Sequence, residues 1–198
     1  MQQVRFKQVF IPSLVLMLID FGLVFLFADV SVSILFEFTF NSLFRSLCIG
    51  AVLGIGFFVL MALIMVSVRP FYSKIDDITK QLHVFFHGFS WTMIVLLSLA
   101  AGIGEELLFR GLIQRYLVYL FNPLWGIILA SVIFGVCHYL NRLYVFLAFS
   151  MGFLIGGIYH FTNNLLLVMT LHAVYDFFAF TAIVKYPSLF GLQLDTQD

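Results

Sequence analysis

Apolar stretches follow one another almost without pause from residue 11 to residue 184, and several are about 20 residues long. About 20 apolar residues are what an α-helix needs to cross a bilayer core of roughly 30 Å. In hydrocarbon the backbone must satisfy its own hydrogen bonds, and helices do this within one segment. The chain is therefore expected to be all-α, a polytopic transmembrane helical bundle. Its 198 residues are 63% hydrophobic and 10% charged, far from the roughly 25% charged of soluble domains. The formal net charge is zero, which leaves no basic field for nucleic acid.

Breaks between the apolar stretches divide the chain into about six spans: 11–28, 43–68, 90–120, 124–140, 143–159 and 165–184. The first is read as a retained span, since no small-residue cleavage pattern follows it. Arg69-Pro70 stops the second span. Residues 71–88 form the wettest stretch and read as a connector with some interfacial helix, with His83 and His87 as interfacial decoration. Asn122-Pro123, Asn141-Arg142 and Thr162-Asn163-Asn164 mark the later turns. Arg5, Lys7, Arg69, Lys74, Lys80, Arg142 and Lys185 fall on one side of six spans, which places both termini in the cytoplasm; Arg45 is the dissenting loop residue, and Arg115 sits near the far end of the third span. No repeat or linker divides the chain, so 1–198 is expected to be one integral membrane domain.

Glycines at Gly50, Gly54, Gly56, Gly152 and Gly156 suit close helix packing. Gly102 and Gly104 are a kink or a close-packing point in a third span that is long for one helix. Cys48 and Cys137 have no metal or redox spacing and read as buried small residues.

Charge inside such a chain is costly and generally has a use. Glu105-Glu106 and Arg110 lie in the third span. Glu106 and Arg110 are i,i+4, so they pair on one helical face and leave Glu105 as the free carboxylate. His138 ends the fourth span, and His172 lies one turn before Asp176 in the sixth. Each alone suits a structural hydrogen bond. Together they supply what hydrolysis requires: a base, a second proton handler and groups that act on an oxyanion. Asp20, in the first span, has no obvious local partner.

Glu105-Glu106-x-x-x-Arg110, Phe134-x-x-x-His138 and His172-x-x-x-Asp176, in that order on successive apolar segments, resemble the three signature motifs of the CPBP intramembrane proteases, also called the CAAX-protease or abortive-infection family. Phe109-Arg110-Gly111-Leu112 resembles the family as well. The likeness covers about residues 90–180, with a motif-bearing core at about 90–184, and leaves the first two spans unmatched. It implies a bacterial glutamate-dependent endopeptidase with its site inside the bundle. Glu105 and His138 would activate water, His172 and Asp176 would bind or polarise the scissile carbonyl, and Glu106 and Arg110 would support them. Its partners would be a peptide or membrane-protein substrate and the lipid bilayer, with no cofactor and no metal. The best-understood relatives carry Asn where Asp176 stands. An ionised Asp cannot donate to an oxyanion, so Asp176 would have to be protonated or act by orienting His172. A prenylated substrate is not implied.

Two alternatives use the same residues. Glu105, His138 and His172 could be zinc ligands of a membrane metalloprotease, although HExxH is absent. The fold could also serve without catalysis, as an immunity or scaffold protein or through a proton relay.

Overall fold

The computed structural model describes residues 2–27, 39–68 and 74–190. Among them are helices and no strands: α1 (Gln2–Phe27), α2 (Phe40–Val68), α3 (Lys74–Phe86), α4 (Trp91–Leu120), α5 (Pro123–Cys137), α6 (Arg142–Thr162) and α7 (Leu165–Lys185). A short 3₁₀ turn, Pro187–Phe190, follows. The expected connection at 29–41 is largely outside the described residues, as are the Arg69-Pro70 stop and the side chain of Asp20.

The helices begin where the sequence offers caps. Ser90, Asn122, Asn141 and Asn164 each accept a backbone N–H from three residues on, satisfying a donor that the first turn would otherwise orphan. Pro123 opens α5, where a missing N–H costs nothing. Asn163 closes α6 in the left-handed region at φ 47°, a conformation asparagine tolerates better than most residues.

Four described helices are long and apolar enough to cross a membrane: 41–67 within α2, then α4, α6 and α7. The protein is a membrane protein. The first and fourth of the six expected spans are represented by shorter apolar helices, 6–19 within α1 and 15-residue α5. At 1.5 Å per residue α5 is about 22 Å long, less than the hydrocarbon core, and His138 follows its last residue.

α4 is the centre of the bundle, packed against α1, α5 and α7. α2 lies outermost, against α7. Small residues set these approaches. A Cβ on Gly102 would stand 2.6 Å from the Ala173 backbone nitrogen, and one on Gly50 or Gly54 would meet the carbonyls of Leu167 or Leu171 at 2.6 Å. A Cβ on Gly56 would meet nothing within 4 Å, so it is not a packing glycine. Gly102→Val is expected to lower stability by about 1–3 kcal/mol through overpacking, whereas Gly56→Ala shifts it by less than about 0.5 kcal/mol. Thermal midpoints in detergent micelles compare the two.

Helix α4 runs in unbroken α geometry through Gly102–Gly104. Its departure from α geometry comes later, in a π-helical stretch at Leu107–Gln114. Two further expectations change. Cys48 and Cys137 are exposed, because α2 faces outward and the inner face of α5 is taken by Phe134 and Gly135. His83 is buried, not interfacial decoration. α3 is amphipathic and turns Ile78, Thr79, His83 and Phe86 inward, with the His83 Nδ1–H donating to Ile183 O on α7 at 2.7 Å. Lys185 Nζ donates to Phe89 O at 2.6 Å, a second tie between this region and α7.

Candidate active site

The π-helical stretch starts one residue after Glu106. Such bulges rotate the helix face and occur often at functional sites. Glu106 and Arg110 straddle its start and pair at 2.9 Å between Oε1 and Nη1. Both are fully enclosed, Glu106 at 0% and Arg110 at 2% exposure. Arg110 Nη2 also donates to Gly152 O on α6 at 2.9 Å, and its guanidinium lies 5.3 Å from the Phe134 ring centroid. One turn on, Gln114 Nε2 donates to Gly156 O at 2.9 Å. Arg110 and Gln114 thus clamp the stretch onto two carbonyls one turn apart. The clamp requires glycine at 156, where a Cβ would stand 2.6 Å from Gln114 Oε1. Gln114 was not among the expected site residues. Its only sequence signal is that Arg110/Gln114 and Gly152/Gly156 share the same four-residue spacing.

Glu106 also holds His172. The His172 Nδ1–Glu106 Oε1 distance is 2.7 Å, so Glu106 ties Arg110 and His172 together. Asp176 Oδ2 lies instead 3.7 Å from Nε2, the other ring nitrogen. The orienting partner of His172 is therefore Glu106, on a different helix, and not the aspartate one turn along its own.

Glu105 points elsewhere. Its Oε2 stands 3.5 Å from His138 Nε2 and 3.9 Å from His172 Nε2. His138 Nδ1 lies 2.8 Å from Phe134 O. Phe134 is the hinge of this arrangement, stacked on His138 at 4.3 Å between centroids and edge-on to His172 at 6.1 Å. Glu105, Phe134, His138, Tyr144, His172 and Asp176 all line one cavity of about 350 Å³, whose other walls are mostly apolar.

The tautomers follow from the partners. A carbonyl can only accept, so His138 Nδ1 carries a hydrogen. Glu106 already accepts from a guanidinium, so His172 Nδ1 carries one as well. In the neutral rings both Nε2 atoms then present lone pairs toward Glu105 Oε2. That oxygen is buried and has no hydrogen-bond partner among the described residues. Three acceptors turned toward one another call for a shared proton or a water that donates to them. Held this way, a water would have its hydrogens directed at bases and its own lone pairs free. Among the described residues no three His, Cys, Asp or Glu side chains stand so as to hold a metal ion.

Residues 87–178 match the family described as type II CAAX prenyl endopeptidase Rce1-like. An uncharacterized protein of Bacillus subtilis (strain 168), YpbD, is 35% identical over 86 residues, which are 42% of this chain and 41% of that protein. The chain therefore spans about two fifths of the length of the curated relative it matches. No solved structure matches. The matched stretch runs from the residues before α4 into α7 and contains Glu105, Glu106, Arg110, Phe134, His138, His172 and Asp176; over that stretch, just under half of its length, the chain is similar to the Rce1-like endopeptidases.

Proposed function

We propose that the protein is an intramembrane endopeptidase that hydrolyses peptide bonds with a water activated by Glu105 and His138. The observation that carries this reading is the convergence of His138 Nε2 and His172 Nε2 on Glu105 Oε2, at 3.5 and 3.9 Å, in a cavity inside the helical bundle. The Rce1-like match over the same residues supports a peptide substrate.

In this mechanism Glu105 takes a proton from water while His138 holds the water's orientation and shares the charge. The water oxygen bonds to the scissile carbonyl carbon. His172, held by Glu106, faces the developing tetrahedral centre, and Asp176 sits beside its Nε2. Glu106, Arg110 and Gln114 hold the π-helical stretch and His172 in register. The proton then passes to the leaving amine as the carbon–nitrogen bond breaks. The basic residues of the connecting segments favour an orientation with both termini on the cytoplasmic side.

Membrane proteomes of cells carrying wild type and Glu105→Gln test this reading. Fragments present with wild type and missing with the variant identify substrates; identical fragment sets contradict hydrolysis by this site. Cleavage by the purified protein is expected to persist after dialysis against a strong chelator. Loss of activity that zinc restores would instead favour a metalloprotease.

A further inference from the structure

The groups that converge on water are poorly suited to the other half of the reaction. Negative charge developing on the carbonyl oxygen is stabilised by aimed hydrogen-bond donors. Glu105 is an acceptor. The Nε2 atoms of His138 and His172 are acceptors while their rings are neutral, because both Nδ1 hydrogens are committed to Phe134 O and Glu106. Asp176 donates only when protonated. A group that donates in its ordinary neutral form is needed beside them.

The cavity wall offers four hydroxyls: Ser13, Thr79, Tyr144 and Tyr175. Ser13 lies on α1 and Thr79 on α3, both distant in the chain from the turn that follows His138. Tyr175 turns its ring edge-on to Phe57 of α2 at 5.2 Å. Tyr144 is six residues past His138, in the first turn of α6. Its backbone N–H is held by the Asn141 cap at 2.9 Å, so the short turn after His138 fixes His138 and Tyr144 relative to each other.

We propose that the Tyr144 hydroxyl donates a hydrogen bond to the oxyanion of the tetrahedral intermediate. Tyr144 lines the same cavity as Glu105, His138, His172 and Asp176. As water's oxygen bonds to the carbonyl carbon, the carbonyl π pair moves onto oxygen, and water's proton goes to Glu105. Tyr144 keeps its proton throughout. It strengthens one hydrogen bond as charge builds and relaxes it when the carbon–nitrogen bond breaks and the amine leaves with the transferred proton. The role rests on the endopeptidase reading above.

The test uses the full-length protein in detergent micelles and an internally quenched peptide library with apolar residues on both sides of the scissile bond. The best-cleaved sequence is also made as a peptidyl trifluoromethyl ketone, whose hydrate resembles the tetrahedral adduct. Tyr144→Phe is expected to lower kcat about 10²-fold, with KM within twofold and an unchanged melting midpoint. Ketone binding should weaken by about the same factor as kcat/KM. Peptide binding should be equal in Glu105→Gln and Glu105→Gln/Tyr144→Phe. Wild-type kcat in Tyr144→Phe would overturn the proposal and leave the endopeptidase reading intact. Equal loss of peptide and ketone binding, or a lowered melting midpoint that accounts for the lost rate, would assign Tyr144 to packing and overturn it too. Wild-type cleavage by Glu105→Gln would instead remove the reading on which it rests.

Discussion

Glu105→Gln is expected to lower kcat by about 10³-fold while leaving the protein inserted and folded. The substitution keeps the size of the side chain and removes its capacity to take a proton. Positioned general bases contribute about 10²–10⁴-fold to such reactions. Glu105 makes no ion pair with Arg110, which is taken by Glu106, so its loss strands no buried partner charge. KM should change little, since the cavity's apolar walls are untouched. Rates for the best-cleaved library peptide, together with thermal midpoints of both proteins, check this. A variant that loses rate only in proportion to lost folded protein would make Glu105 structural.

The second large effect falls on Arg110. Arg110→Leu leaves Glu106 fully buried without its guanidinium, and the Gly152 carbonyl loses a donor. Removing one partner of a buried pair costs about 3–5 kcal/mol, mostly from the stranded charge. The same change releases His172, because Glu106 holds its Nδ1. Activity should therefore fall along with stability, unlike in Glu105→Gln. Glu106→Gln/Arg110→Leu removes the stranded charge and should recover part of the stability. It should not recover activity, since the pair that fixes the π-helical stretch and His172 is gone. Unfolding of the three proteins in mixed detergent micelles, followed by helical content, compares them. Equal stability of Arg110→Leu and wild type would show that Glu106 is hydrated or neutral in the bundle.

Much of this arrangement is legible in the residues. Asn122, Asn141 and Asn164 sit at turns marked by the breaks in hydropathy, and each caps the helix that follows. The i,i+4 spacing of Glu106 and Arg110 shows their pairing and frees Glu105. Other features depend on tertiary contact and have no local signature. A π-helical stretch at 107–114 alters the register of one helix without altering its composition. Gln114 looks like any interfacial glutamine until Gly156 is placed opposite it. The partner of His172 comes from 66 residues away, where sequence spacing favours Asp176. His83 was hidden by the polar residues around it, although Ile78, Thr79, Leu82, His83 and Phe86 recur with helical periodicity and mark an inward face.

Cleavage of one identified peptide in ¹⁸O-water by purified wild type and Glu105→Gln, with chelator present, tests the central claim most directly. Wild type should release a fragment whose new C-terminal carboxylate carries one ¹⁸O, and Glu105→Gln should release almost none. Cleavage by Glu105→Gln at the wild-type rate would contradict a water activated by that carboxylate.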